Sequence, residues 1–91
     1  VQKEISKNVV IGNKLGLHAR PAAQLVKVAS RFSSDIMFAR GEEKVNAKSI
    51  MGVLMLAAPQ GTQIKVIARG EDAAEAVREI ESLVENKFGE D

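Results

Sequence analysis

The sequence predicts an α+β fold: an open-faced β-sandwich with a four-stranded antiparallel sheet covered on one face by three helices, in the order βαββαβα. Three observations predict it. Apolar residues alternate with polar ones over short segments, as at Ile64, Val66 and Ala68, which marks strands with one buried face. Apolar stripes at helical spacing, as at Ala73, Ala76, Val77, Ile80, Leu83 and Val84, mark helices with a single core-facing side. The two kinds of segment interleave without linkers, repeats or low-complexity stretches, so residues 1–91 read as one two-layer domain built from split βαβ units.

The elements follow in chain order. Ile5, Val9 and Ile11 share one parity, with Lys7 breaking the row, so Ile5 to Ile11 reads as a partly buried strand. Asn13 to Gly16 is a loop by composition. From Ala19 the spacing of Ala22, Leu25, Val26 and Ala29 gives a first helix ending near Ser30. Ser33, Ser34 and Asp35 then break the chain before two strands, Ile36 to Ala39 and Lys44 to Ala47, joined by a hairpin around Gly41. Ser49 stands where an N-cap belongs for a short helix from about Ile50 to Ala57, which Pro59 and Gly61 close. Thr62 to Arg69 is the fourth strand, with Ile67 an apolar residue on its polar side. "DAAE", Asp72 to Glu75, fits a capping box for the last helix, and the acidic tail after Phe88 is expected to fray.

Thirteen basic and twelve acidic side chains leave a formal charge of +1, so bulk charge calls for neither nucleic acid nor an anionic membrane. Without cysteine there is no disulfide and no thiolate ligand, and with one histidine no metal site or cofactor is expected. The longest apolar run, Ile50 to Ala58, falls short of the ~20 residues that span a bilayer. Val1 to Asn8 lacks the apolar core of a secretory signal, so a cytoplasmic monomer is the expectation.

The chemistry converges on "GLHARPA", residues 16 to 22. His18 falls just before the first helical turn, where backbone N–H groups lack acceptors and the helix dipole presents about half a positive charge. With an unperturbed pKa of about 6.5, an imidazole there is a competent nucleophile without an activating partner. Arg20 offers a forked cation to phosphoryl oxygens. Pro21 stiffens the first turn, and Gly16 lets the preceding loop bend. Separately each residue has a plainer reading: a capping histidine, a solvated arginine, a helix start. Together they make a nucleophile, a cation and a helix terminus, which points to phosphoryl chemistry. No Walker-type glycine loop supplies a nucleotide site, so the phosphoryl group must come from a partner.

At "LGLHARPAAQLVK" and "KVNAKSIMGVLMLAAPQGTQIKVIARGED" the chain resembles HPr, the histidine-containing phosphocarrier family of the bacterial phosphoenolpyruvate-dependent phosphotransferase system, over essentially its whole length. The resemblance implies the family's HPr-like βαββαβα open-faced sandwich. It implies that His18 accepts the phosphoryl group on Nδ1 and that Arg20 is the active-centre arginine, followed by the family's Pro21. It further implies Enzyme I as donor and EIIA-type proteins as acceptors. Ser49, in "AKSIMG", matches the serine that HPr kinase/phosphorylase modifies in many relatives. Ile50, Met51, Leu54 and Met55 offer apolar contacts to such partners, with Met51 and Leu54 favoured as the exposed pair, and Lys27 and Arg31 are candidates for a basic rim. Lys14 and Leu15 depart from the small polar residues of many sugar-pathway members. That stretch and the acidic tail are similar to the nitrogen-related NPr branch, whose members signal their phosphorylation state rather than feed sugar transport.

Two other classes compete. A small acylphosphatase-like enzyme would share the α+β order but turn over acetyl phosphate repeatedly. An RNA-binding βαββαβ module would need a stacking sheet, for which Phe32, Phe38 and Phe88 are the only aromatic residues in the chain. A covalent carrier without turnover of its own fits the residues best.

Overall fold

The computed structural model describes residues 4–90. Val1 to Lys3, part of the segment read for a signal, lie outside the described residues, as does Asp91 at the end of the tail. The elements are β1 (Glu4–Val10), α1 (Ala19–Ala29), β2 (Asp35–Arg40), β3 (Glu43–Asn46), α2 (Ile50–Met55), β4 (Gln63–Arg69) and α3 (Ala73–Glu85), followed by a 3₁₀ turn, Lys87–Gly89. The sheet order is β1-β4-β2-β3, with every neighbouring pair antiparallel. Strand β4 therefore lies between β1 and β2, and each of α1 and α2 connects two strands separated by a third. These are the split βαβ units that the alternation predicted.

Burial follows the pleat. Ile64, Val66 and Ala68 of β4 and Ile36 and Phe38 of β2 point into the core, whereas Gln63, Lys65 and Arg69 face water. Ile67, the apolar residue on the polar side, pairs with Met37 of β2 across the open face, where both are half-buried. Under the sheet, Ala22, Leu25 and Ala29 of α1 and Ala73, Ala76, Val77, Ile80 and Val84 of α3 complete the core. Among the described residues no helix is long and apolar enough to cross a membrane.

Three local expectations are corrected. Helix α2 stops at Met55 rather than Ala57, because Ala57 takes a left-handed φ of 49° while Arg40 Nη1 donates to the carbonyls of Leu56 (2.7 Å) and Ala57 (3.0 Å). Asp72 precedes α3 but makes no capping bond with its own helix. Its carboxylate instead accepts from Ser33 N–H (2.9 Å), Ser34 N–H (3.0 Å), Ser33 Oγ (3.3 Å) and Ser34 Oγ, tying the α1–β2 turn to the head of α3. As far as Glu90, the last described residue, the tail does not fray after Phe88. Lys87, Phe88 and Gly89 run through left-handed φ values of 54°, 58° and 76°, and Phe88 is buried to 1% exposure. The two non-glycine residues in that region together cost roughly 2–4 kcal/mol, which burial of the phenyl ring, at about 1.5–3 kcal/mol, largely offsets.

Candidate functional site

The loop before α1 is built on the loop after α2. Leu17 N–H donates to the carbonyl of Ala58 (2.8 Å), and Gly16 N–H donates to that of Asn13 (3.1 Å). Gly16, with φ +71°, packs so closely that a Cβ there would lie 2.6 Å from the Ala58 oxygen and 2.8 Å from Pro59 Cα. A glycine is needed twice over, for the bend and for the close approach. The bend delivers His18 to the N-cap of α1 with extended backbone, φ −87° and ψ −170°. Pro21 sits in the first turn, fully buried. Gly16 and Pro21 are both buried, so they shape the site from beneath.

The His18 side chain does not cap its own helix. Its Nε2 lies 3.2 Å from Glu90 Oε1 and 3.1 Å from Glu90 Oε2, and Glu90 Oε1 also accepts from Asn13 Nδ2 at 2.8 Å. The amide hydrogen bond from Asn13, then the hydrogen bond from His18, hold the Glu90 carboxyl below its ordinary range. An ionised carboxylate can only accept, so Nε2 must carry the ring hydrogen, and the neutral ring keeps its lone pair on Nδ1. Among the described residues no hydrogen bond engages Nδ1. The imidazole side chain is 35% exposed. Asn13 is itself fully buried: its Nδ2 bridges Glu90 and the Gly16 carbonyl (2.8 Å), and its Oδ1 lacks a partner among the described residues.

The N–H groups of Ala19 and Arg20 have no intrahelical acceptor, and Pro21 has no N–H to offer. Arg20 is exposed and makes no ion pair with the described residues, which leaves its guanidinium available to an anion at the helix mouth. Ser49 is the N-cap of α2, its Oγ accepting from Gly52 N–H at 3.1 Å. Met51 and Met55 are 68% and 65% exposed and Ile50 is 38% exposed, while Leu54 is half-buried against the core. The exposed pair is therefore Met51 with Met55, not Met51 with Leu54, because residues four apart share a helix face and Leu54 packs inward beside Val53. Lys27 is exposed on α1. Arg31 lies beyond the end of that helix, exposed, and donates to Glu79 of α3 at 3.0 Å.

Sequence reasoning missed Asn13 and Glu90, which stand 77 residues apart in the chain and meet at the histidine. The available signal was Phe88, an aromatic residue alone in a polar tail. Leu15, in the loop before His18, is 75% exposed. Among the described residues no cluster of His, Cys, Asp and Glu is able to hold a metal.

Comparison with known proteins agrees with this geometry. The family model described as "PTS HPr component phosphorylation site" matches residues 5–86. The chain is 47% identical over 87 residues to "Phosphocarrier protein HPr" of Treponema pallidum (strain Nichols), covering 96% of this chain and 99% of that one. It is 42% identical over 87 residues to "Phosphocarrier protein NPr" of Shewanella violacea, covering 96% of each. The crystal structure of HPr-C-His from Thermoanaerobacter tengcongensis superposes with a TM-score of 0.89 at 49% identity, covering 98% of both chains.

Proposed function

The chain belongs to the HPr family of phosphocarriers, and from that premise we propose that His18 accepts a phosphoryl group on Nδ1 from phosphorylated Enzyme I and passes it to an EIIA-type protein. The observation that carries the reading is the partly exposed imidazole at the N-cap of α1, whose Nε2 is taken by a carboxylate while no hydrogen bond among the described residues engages Nδ1. Those amides and Arg20 neutralise the dianion that arrives, each transfer needing only in-line placement and charge compensation. The protein acts as a carrier, as its family does, and works as a cytoplasmic monomer. Ser49 is a regulatory phosphorylation site for a kinase of the HPr kinase/phosphorylase type, and Ile50, Met51 and Met55 with Lys27 form the face that partners meet.

The test is to mix the protein with phosphoenolpyruvate, Mg²⁺ and Enzyme I. An acid-labile gain of one phosphoryl group is expected, absent in His18→Ala; no gain in the parent protein would overturn the reading.

A second reading is favoured by Leu15, which places an exposed apolar side chain two residues before Leu17 in the histidine loop. In it the same chemistry serves a nitrogen-type branch, and the phosphorylation state is read by an effector. Presenting the phosphorylated protein to a sugar-branch and a nitrogen-branch EIIA side by side separates the two, since the preferred acceptor discharges His18 faster.

A further inference from the structure

We infer that Glu90 is a positioning residue for His18, locked in place by Asn13 and by the Phe88 anchor, and that it sets which ring nitrogen is nucleophilic. The inference rests on the carrier reading above but concerns a residue outside the motif that carries it. Glu90 is held from three sides. Phe88 fixes the turn two residues earlier, Asn13 Nδ2 holds Oε1 at 2.8 Å, and both carboxylate oxygens face Nε2 at 3.1–3.2 Å. Asn13 is fixed in turn by its bond to the Gly16 carbonyl, inside the loop that aims His18. Contacts of this kind are what orient a functional imidazole and choose its tautomer.

The step balances as follows. The Nδ1 lone pair forms the new bond to phosphorus while the bond from phosphorus to the donor breaks, its electron pair leaving with the donor. The hydrogen on Nε2 stays where it is, so positive charge develops on the ring beside the Glu90 carboxylate. On transfer to the acceptor, the P–Nδ1 electron pair returns to the ring, which is again neutral with its hydrogen on Nε2. Glu90 touches neither phosphorus nor the donor, and no proton moves to it. The other charged group near it is Arg20, whose positive charge also favours the ionised carboxylate.

The experiment uses the full chain with Glu90→Ala and Glu90→Gln. Imidazole ¹⁵N shifts report the tautomer directly without any partner protein. The parent is expected to show hydrogen on Nε2. Glu90→Ala should move towards a tautomer mixture, and Glu90→Gln, whose amide oxygen still accepts, should restore the Nε2 form. In the transfer assay, Glu90→Ala should accept the phosphoryl group on the order of 10-fold more slowly, the scale usual when the outer partner of a functional histidine is removed. Glu90→Gln should fall between, since it keeps the hydrogen bond and loses the charge. Unchanged ¹⁵N shifts in Glu90→Ala, or parent rates in both variants, would overturn the inference. If the parent itself accepted no phosphoryl group, the carrier reading would fail while the ¹⁵N result still decided the role of Glu90.

Discussion

A single histidine at a helix mouth is an ambiguous sign, and what resolves it is the set of contacts its two nitrogens make. Nε2 is engaged by Glu90 and Nδ1 is not, so the ring is presented rather than used as a cap. His18, Arg20 and Pro21 were readable because all three lie within one helical turn. Asn13 and Glu90 were not, because nothing local distinguishes a loop asparagine and a tail glutamate that will meet each other 77 positions apart. Gly16 was read as a bend, and the structure adds a second demand that only tertiary packing reveals. Gly16→Ala should lower stability by about 1–3 kcal/mol through its strained φ, with more from the clash against Ala58 and Pro59. It should also slow phosphoryl acceptance, because relief of that clash must shift the loop that aims His18. A urea melt and the transfer assay on one preparation check both effects, and a destabilised variant with parental kinetics would separate the loop from the chemistry.

Among the elements, α2 shows how a cap and a regulatory position coincide. Ser49 Oγ accepts from Gly52 N–H, so Ser49→Ala should cost about 1 kcal/mol. Ser49→Asp keeps an acceptor at the N-cap and should melt close to the parent, yet it adds negative charge next to the exposed Met51. Transfer from Enzyme I should then slow while the fold is retained; equal rates in parent and Ser49→Asp would show that charge there is not felt. The head of α3 was misread as a capping box, since the four donors of Ser33 and Ser34 outcompete the orphan amides for Asp72. Hydrogen bonds from the Ser34 hydroxyl first, then from the Ser33 amide, lower this carboxyl from 3.8 to about 2. Its folded value is depressed, so its contribution is complete above about pH 4 and is lost as the pH falls through about 2. Asp72→Asn should therefore unfold at lower urea than the parent at pH 7, and the gap should close steadily between pH 4 and pH 2. A gap independent of pH would assign the difference to packing rather than to the ionised carboxylate.

At the scale of the whole molecule, alternation and helical stripes were enough to give the element order and the antiparallel sheet with its helices, because in a two-layer domain each element buries one face in the core, whereas the strand order β1-β4-β2-β3 comes from the structure. What they left open was how the chain closes on itself. The site needs residues from the first loop, the head of α1 and the last turn, so it is complete only when the tail has docked over the finished core. Phe88 is the apolar anchor of that turn, at 1% exposure in left-handed backbone. Domains of this length are stable by only about 5–15 kcal/mol, and Phe88→Ala, at about 3–5 kcal/mol, risks unfolding the whole chain. Phe88→Leu keeps an apolar plug and should cost roughly 1–2 kcal/mol, leaving the sheet and helices intact by circular dichroism. If the tail is what brings Glu90 to His18, this variant should shift the imidazole ¹⁵N signature in the same direction as Glu90→Ala and slow phosphoryl acceptance alongside it. A Phe88→Leu protein that is destabilised but keeps the parental ¹⁵N pattern would mean that Asn13 alone suffices to hold the carboxylate, and that the anchor serves the core and not the site.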